Sequence, residues 1–488
     1  MALFPETILN YINGEMVAAA SNKIFGNINP HTGQVICSVA RSGTEDAMSA
    51  MVAARQAQGN WANLTSIARA DILRDVAFRM MERQEEIAEI VAVESGKAFS
   101  HALGETKAAI EMGFFIAGEG RRNYGKTMSA SMANRQVLTV RQPLGVAALI
   151  IASNTPIANV AWKAFPSMFC GNVSIMKPSE DTPGTAWIFA DICNEVGIPH
   201  GVFNVVQGFG EEAGEPLVKS KDIALVSFTG GHVTGSKINR IAGERLAKVC
   251  LELGGKNALV VCDDADLGNA VNWVLASAFS NAGQRCAAAS RVILFRSIYE
   301  EFRDCLVEAA NKLKMGIGED DFLGPVMNER QLNNMIAAVE RAKAEEAIVL
   351  TGGERSLLKN HRLGFYMQPT ILENVSSDAE ISQAELFGPI TCLYQVNDLQ
   401  EAIALANNSS FGLTSSIHTQ SLHRSMEYSK RVQAGVVVVN GGTHGSEPHM
   451  GFGGVKNSGT GWREAGVEAL DVYSDIKYIN LISNPSLI

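Results

Sequence analysis

Several features are scarce in this 488-residue chain, and each scarcity removes a class of function. Positive charge is in deficit: 41 Lys and Arg stand against 51 Asp and Glu, a net charge of −10, and no basic run stands out. An acidic, solvated surface offers no electrostatic footprint for nucleic acid. Long apolar runs are missing too. The longest near the middle, "VAALIIA" (Val146 to Ala152), is far too short to span a bilayer and suits a buried strand. The opening "MALFPETILN" lacks the basic-then-apolar order of a secretory signal, so no membrane association is expected. The eight cysteines, at 37, 170, 193, 250, 262, 286, 305 and 392, form no C-x-x-C pair, and the nine histidines form no H-E-x-x-H. Reduced thiols in a cytoplasmic protein are expected, with no disulfide framework and no metal.

What remains is an ordinary globular composition, 46% apolar and 19% charged. Its length calls for about two or three domains. "YINGEMVAAASNKIFGNINPHTGQVICSVA" reads as hairpins broken by Asn-Gly, Asn-Pro and Thr-Gly. "DILRDVAFRMMERQEEIAEIVAVES" places Ile72, Leu73, Val76, Met80, Ile87, Ile90 and Val91 on one helical face. "YGKTMSASMANRQVLTVRQPLG" turns small and polar, then alternates, as a hairpin leaving the domain body would. From Gly145 the rhythm is strand, helix, strand, repeated to about Lys456, which predicts α/β architecture with parallel sheets covered on both faces. The tail "DIKYINLIS" alternates again and could extend a sheet edge of another chain.

Individual motifs stay ambiguous. Cys286 in "NAGQRCAAAS" is either an inert core thiol or a reactive one. Small neighbours leave backbone N–H groups open there, and Arg285 would help to stabilise a thiolate. Glu252 in "CLELGGKN" ends an apolar strand, where a carboxylate is costly unless paired or exchanging protons. In "SFTGGHVTGSK", Gly230 and Gly231 open a helix whose free N–H groups suit a pyrophosphate, without the lysine spacing of a P-loop. "GFGEEAG" (Gly208 to Gly214) has the wrong onward spacing for a dinucleotide fingerprint and reads as a turn. Lys177 and Glu180 end a strand, where ribose hydroxyls or plain solvent could meet them. Asn154 in "IASNTPIANVAWK" is either an oxyanion donor or a helix cap.

Taken together and in order, these motifs resemble the aldehyde dehydrogenase superfamily from "YINGEMV" to "YSDIKYINL". The pieces that carry the resemblance are "SNTPIANVAWK", "KPSEDTP", "FTGGHVTG", "LELGGKN", "GQRCAAASR", "ELFGP" and "GFGGVKNSGTGWREAG", with 34 positions between Glu252 and Cys286. The resemblance implies an α/β fold of two parallel-sheet domains with a small β oligomerisation element. Residues 1–126 and 145–254 would bind NAD, 255–456 would form the catalytic domain, and 127–144 with 470–488 would join subunits into a homodimer or homotetramer. It also implies roles. Cys286 would attack an aldehyde, Asn154 would stabilise the oxyanion, Glu252 would activate water, and Lys163 and Glu464 would relay the proton. Ser153, Lys177, Ser179, Glu180, Gly210, Phe228, Thr229, Gly230, Gly231, Leu253, Glu385 and Phe387 would hold the cofactor. That cofactor would be NAD, with NADP possible, because Glu180 would accept from a 2′-hydroxyl and repel a 2′-phosphate.

The chain departs from the family at Ser153, Thr155, Gly231, Gly451 and Trp462, and Ser153 with Gly231 would weaken the hold on the phosphates. Thr155, Asn159, Trp162, Ser280, Arg285 and His444 would line the aldehyde tunnel, with Glu447 and His449 closing it. Mostly polar walls and one cation point to a short polar aldehyde, such as a semialdehyde whose carboxylate meets Arg285. The alternative for Arg285 is a structural ion pair facing away. Rival functions are a CoA-acylating aldehyde dehydrogenase, which Glu252 disfavours, and a retired fold that only binds, which the Cys286, Glu252 and Asn154 set disfavours.

Overall fold

A computed structural model describes residues 3–358 and 361–487. Two seven-stranded sheets organise them. In the first, the strands Lys248–Leu253, Ile223–Gly230, Val146–Ile150, Val173–Lys177 and Phe203–Val205 run parallel, and the hairpin Asn10–Ile12 with Glu15–Val17 closes the far edge antiparallel. Every residue of Val146–Ile150 and Val173–Lys177 is buried, as continuous apolar strands between two helical layers must be. A second hairpin, Ile24–Ile28 with Val35–Ala40, packs nearby, so the opening segment forms hairpins as its turn residues predict.

The second sheet runs Ile348–Thr351, Thr370–Glu373, Ile390–Val396, Ala289–Phe295, Asn257–Val261, Thr414–His418, Val436–Val439. Only its first strand is antiparallel. Each sheet has its own apolar core. The chain first passes from one to the other through residues 254–256, just after the strand that carries Glu252, and returns to the first core from Ala465 to Tyr473. The first sheet presents carboxyl-terminal strand ends to the cleft, the place where open α/β sheets bind ligands. The second faces it with the segments that lead into its strands, at Gly254, at Cys286 and Ala287, and at Glu385, Leu386 and Phe387.

One expectation is corrected. The apolar stripe from Ile72 to Val91 spans two helices, Ser66–Glu82 and Gln84–Ser95. Arg83 leaves helical geometry between them, at φ −103° and ψ 19°, where its guanidinium bonds Glu86 and Asp191 at 2.8 Å each. Ile72 is only half-buried at the stripe's margin, whereas the other six members are buried. The tail strand Ser474–Ile482 pairs antiparallel along Arg135–Pro143 of its own chain and forms the edge of that sheet. With Thr127–Met128 these make a three-stranded sheet whose outer strand carries the exposed Ile476, Tyr478, Leu481 and Ile482.

Candidate active site

One cleft of about 1470 Å³ lies between the two sheets. Cys286 faces it from a loop joining the helix Leu267–Phe279 to the strand Ala289–Phe295. The loop is tied on both sides of the sulfur. Asn257 Nδ2 donates to the carbonyls of Cys286 (2.8 Å) and Ala288 (2.9 Å), and Thr443 Oγ1 donates to that of Ala287 (2.6 Å). The side chain keeps partial exposure, so it is not a sealed core thiol.

Burial nevertheless pushes the Cys286 thiol up to about 12, and the carboxylates of Glu385 and Glu252 add to the rise. Arg285 does favour the thiolate, as its place beside the sulfur predicts, but desolvation is the larger influence and the net direction is upward.

Glu252 lies within the last residues of its strand, buried, and neither carboxylate oxygen has a hydrogen-bond partner among the described residues. Burial raises its pKa well above the usual carboxylate range, and Glu464 raises it further, against Lys163 and Arg463. A buried carboxyl without a partner is suited to exchange protons. Glycines make room around it. A Cβ at Gly453 would stand 2.8 Å from Glu252 Oε1, and one at Gly254 would stand 1.7 Å from Glu385 Oε2.

Asn154 sits on the turn before the helix Pro156–Phe169, and its Nδ2 donates to Gln284 O at 3.1 Å. That bond joins the turn to the Cys286 loop. Behind Glu252, Glu464 lines the cleft, while Lys163 lies beyond it, wholly buried and outside the lining. Lys163 Nζ pairs with Glu464 and donates to Ser227 Oγ at 2.9 Å. Ser227 Oγ in turn donates to Glu464 at 3.0 Å, and Tyr473 donates to Ser227 at 3.1 Å. Trp462, the extra residue in "GWREAG", lies beneath Lys248, its ring 4.5 Å from the ammonium, and Glu464 still reaches Lys163.

All the residues expected to hold a cofactor line the same cleft. Lys177 ends its strand with Nζ 3.2 Å from Glu180, and Ser179 and Ser153 stand at the neighbouring strand ends. Gly210 opens a wide, π-helical turn over Gly210–Gly214, and nothing would meet a Cβ there or at Gly231. The helix His232–Gly243 starts at Gly231 with no side-chain cap, so its first N–H groups are free, beside Phe228, Thr229, Gly230 and Leu253. Glu385 accepts from Gly255 N at 3.2 Å and is raised to about 7 by burial, and Phe387 holds a left-handed φ of 55°.

Thr155, Asn159, Trp162, Ser280, Arg285 and His444 line the other end. Arg285 Nε donates to Ser280 Oγ at 3.3 Å, and among the described residues no carboxylate comes within ion-pairing distance of its guanidinium. His444 Nδ1 is buried without a partner, and burial and Arg285 lower the ring's pKa to about 4. Glu447 and His449 do not close the cleft. They are exposed, 3.7 Å from each other and outside the lining. Sequence reasoning passed over one whole wall. Lys97 and, on the helix Phe99–Gly118, Ser100, His101, Gly104, Glu105 and Ala108 line this end too. The signal was there: Lys97, His101 and Glu105 recur every four residues, a polar stripe along an otherwise apolar segment.

The family model described as "Aldehyde dehydrogenase family" matches residues 16–479. An alpha-ketoglutaric semialdehyde dehydrogenase of Bacillus subtilis is 37% identical over 476 residues, covering 97% of this chain and 98% of its own. A succinate-semialdehyde dehydrogenase [NADP(+)] of Escherichia coli is 35% identical over 470 residues, 96% of each chain. A crystal structure of betaine aldehyde dehydrogenase from Staphylococcus aureus in complex with NAD+ superposes with a TM-score of 0.96 at 32% identity, covering 98% of this chain and 95% of that one.

Proposed function

The chain belongs to the aldehyde dehydrogenase family, and from that premise we propose that it oxidises a semialdehyde, a short aldehyde whose far end carries a carboxylate, using NAD(P). The residues present fit a dinucleotide. An uncapped helix start at Gly231 offers N–H groups to a pyrophosphate, Lys177 and Glu180 offer a donor and an acceptor to a ribose, and Glu385 offers an acceptor to the second ribose. The carboxylate at Glu180 favours NAD over its 2′-phosphorylated form.

In this reading Cys286 Sγ gives up its proton as it bonds the aldehyde carbon, and Glu252 takes that proton. Glu252 is able to do so once its own has passed towards Glu464 and Lys163. The free N–H of Asn154 and the backbone N–H of Cys286 receive the carbonyl oxygen as it becomes an oxyanion. When bound, the dinucleotide supplies the acceptor for the hydride that leaves the adduct carbon, which turns the adduct into a thioester. Once the thiol's proton has passed from Glu252 towards Glu464 and Lys163, Glu252 draws a proton from water as the water oxygen attacks the thioester, and it returns that proton to the departing sulfur, releasing the acid and restoring the thiol.

The observation that carries the substrate class is Arg285, a cation in the cleft next to Cys286 whose side chain, among the described residues, bonds only a serine hydroxyl. A charge-assisted bond to a substrate carboxylate is worth about 1.5–3 kcal/mol, a factor of roughly 10–100 in kcat/KM. Arg285→Ala is therefore expected to lower kcat/KM for succinate semialdehyde by that factor and to leave propanal within about twofold. An unchanged ratio between the two substrates would overturn the assignment.

Further parts of the reading concern the whole chain. The exposed apolar residues on the Ser474–Ile482 strand support a homodimer or homotetramer built on the small sheet. Eight free cysteines support work in a reducing, cytoplasmic compartment. Among the described residues no helix is long and apolar enough to cross a membrane.

A further inference from the structure

The carbonyl of Asn154 is held by two donors from distant parts of the chain. Lys97 Nζ donates at 2.6 Å and Asn281 Nδ2 at 3.2 Å. The Lys97 ammonium is also paired with Glu105, and both side chains are 7% exposed. The other carboxylate oxygen, Glu105 Oε1, accepts from the backbone N–H groups of Ile157 (3.1 Å) and Ala158 (3.4 Å), the free donors at the start of the helix Pro156–Phe169. Thr155, just before that helix, makes no side-chain cap, so a carboxylate from another helix satisfies the helix start. Asn281 donates also to Gln284 O at 3.1 Å, the carbonyl that receives Asn154 Nδ2. Asn281 does this from the left-handed region, at φ 54°, a conformation that surrounding contacts must hold in place.

A buried ion pair is a poor investment for stability alone, since an apolar pair of similar volume serves as well or better. Its use here is geometric. We propose that Lys97 and Glu105 are positioning residues for the oxyanion donor. Glu105 fixes the start of the helix, Lys97 fixes the Asn154 backbone, and Asn281 ties the same turn to the Cys286 loop, so the amide and the sulfur keep one register. Gln284 O takes one N–H of the Asn154 amide and leaves the other for the substrate oxygen. The proposal rests on reading Asn154 as that oxyanion donor.

An oxyanion donor is worth about 100–1000-fold in rate, and displacing a reacting group by ~1 Å costs about 100-fold. The test compares Lys97→Met, Lys97→Arg and Asn154→Ala, alone and combined, by three readouts. These are the pre-steady-state NADH burst with succinate semialdehyde, the KM for NAD, and the rate of Cys286 alkylation by iodoacetamide, which forms no oxyanion. Lys97→Met is expected to slow the burst about tenfold or more, with alkylation and the KM for NAD within about twofold and most of the burst rate regained in Lys97→Arg. In the Asn154→Ala background Lys97→Met is expected to cost nothing further. An additive loss in that background, or an equal loss in alkylation, overturns the proposal. An Asn154→Ala burst equal to that of the unaltered enzyme overturns the oxyanion reading itself, and the proposal with it. If Lys97→Met does not fold, Asn281→Ala removes the second donor to the same carbonyl, and the same pattern or its failure decides.

Discussion

Cys286 combines two properties that pull apart. The role proposed for it in the cleft requires reactivity, while burial pushes the thiol up to about 12. A thiol with a raised pKa reacts in proportion to a small thiolate fraction, which grows about tenfold per pH unit below that pKa. Alkylation of Cys286 by iodoacetamide, followed without cofactor or aldehyde, is therefore expected to climb about tenfold per unit from pH 7 through 10 with no plateau. A plateau near pH 8 would mean that the sulfur rests ionised and needs no base. The assignment of that base to Glu252 draws strength from the same physics, because an unpartnered buried carboxyl shares the cleft. Residues of this kind were legible because each sits in a short local motif. The meaning of Lys97 and Glu105 was not: beyond the four-residue stripe they share with His101, it lies in bonds to Asn154 and Ile157, 57 and 52 positions away. The balance at the sulfur was not legible either: Arg285 is visible beside Cys286 in the sequence, but the burial that outweighs it is set by the fold.

At the scale of elements, the repeated strand–helix rhythm predicted both sheets well, since buried parallel strands read as unbroken apolar runs. The break at Arg83 escaped notice because the apolar stripe continues through it, and only the dihedral angles and the pairing with Asp191 mark it. The turn before Cys286 was equally silent. Asn281 and Ala282 both take positive φ, which nothing in "SNAGQRC" announces. Next to them Gly283, at φ +66°, passes so close to the Gly388 carbonyl that a Cβ would stand 2.1 Å from its oxygen. No side chain fits there without moving the loop. Gly283→Ala is expected to cost about 1–3 kcal/mol of stability through strain and overpacking and to slow aldehyde oxidation by more than tenfold. Thermal melting beside burst kinetics would check both, and a variant with normal activity would show that the loop tolerates displacement.

For the whole molecule, the chain first crosses between the two cores over three residues, and the cleft takes its walls from both. The small sheet lies apart from them and joins Arg135–Pro143 to Ser474–Ile482. Its exposed Ile476, Tyr478 and Ile482 share one face of the outer strand, and Leu481 is exposed on the other. Removing residues 474–487 is expected to lower the apparent mass on size-exclusion chromatography with light scattering to that of one chain. A shortened chain that kept the full assembly mass would move the subunit contact elsewhere. The pairing has one more result. Arg141 and Ser474 are bonded across 333 positions. At roughly 5–20 residues per second of synthesis, the earlier strand waits on the order of half a minute for its mate. Throughout that interval it is a naked ribbon beside a ribosome, open to any neighbouring nascent chain. Arg135, Gln136 and Arg141 along it then act as sentries, keeping the wrong newborn strand from arriving first.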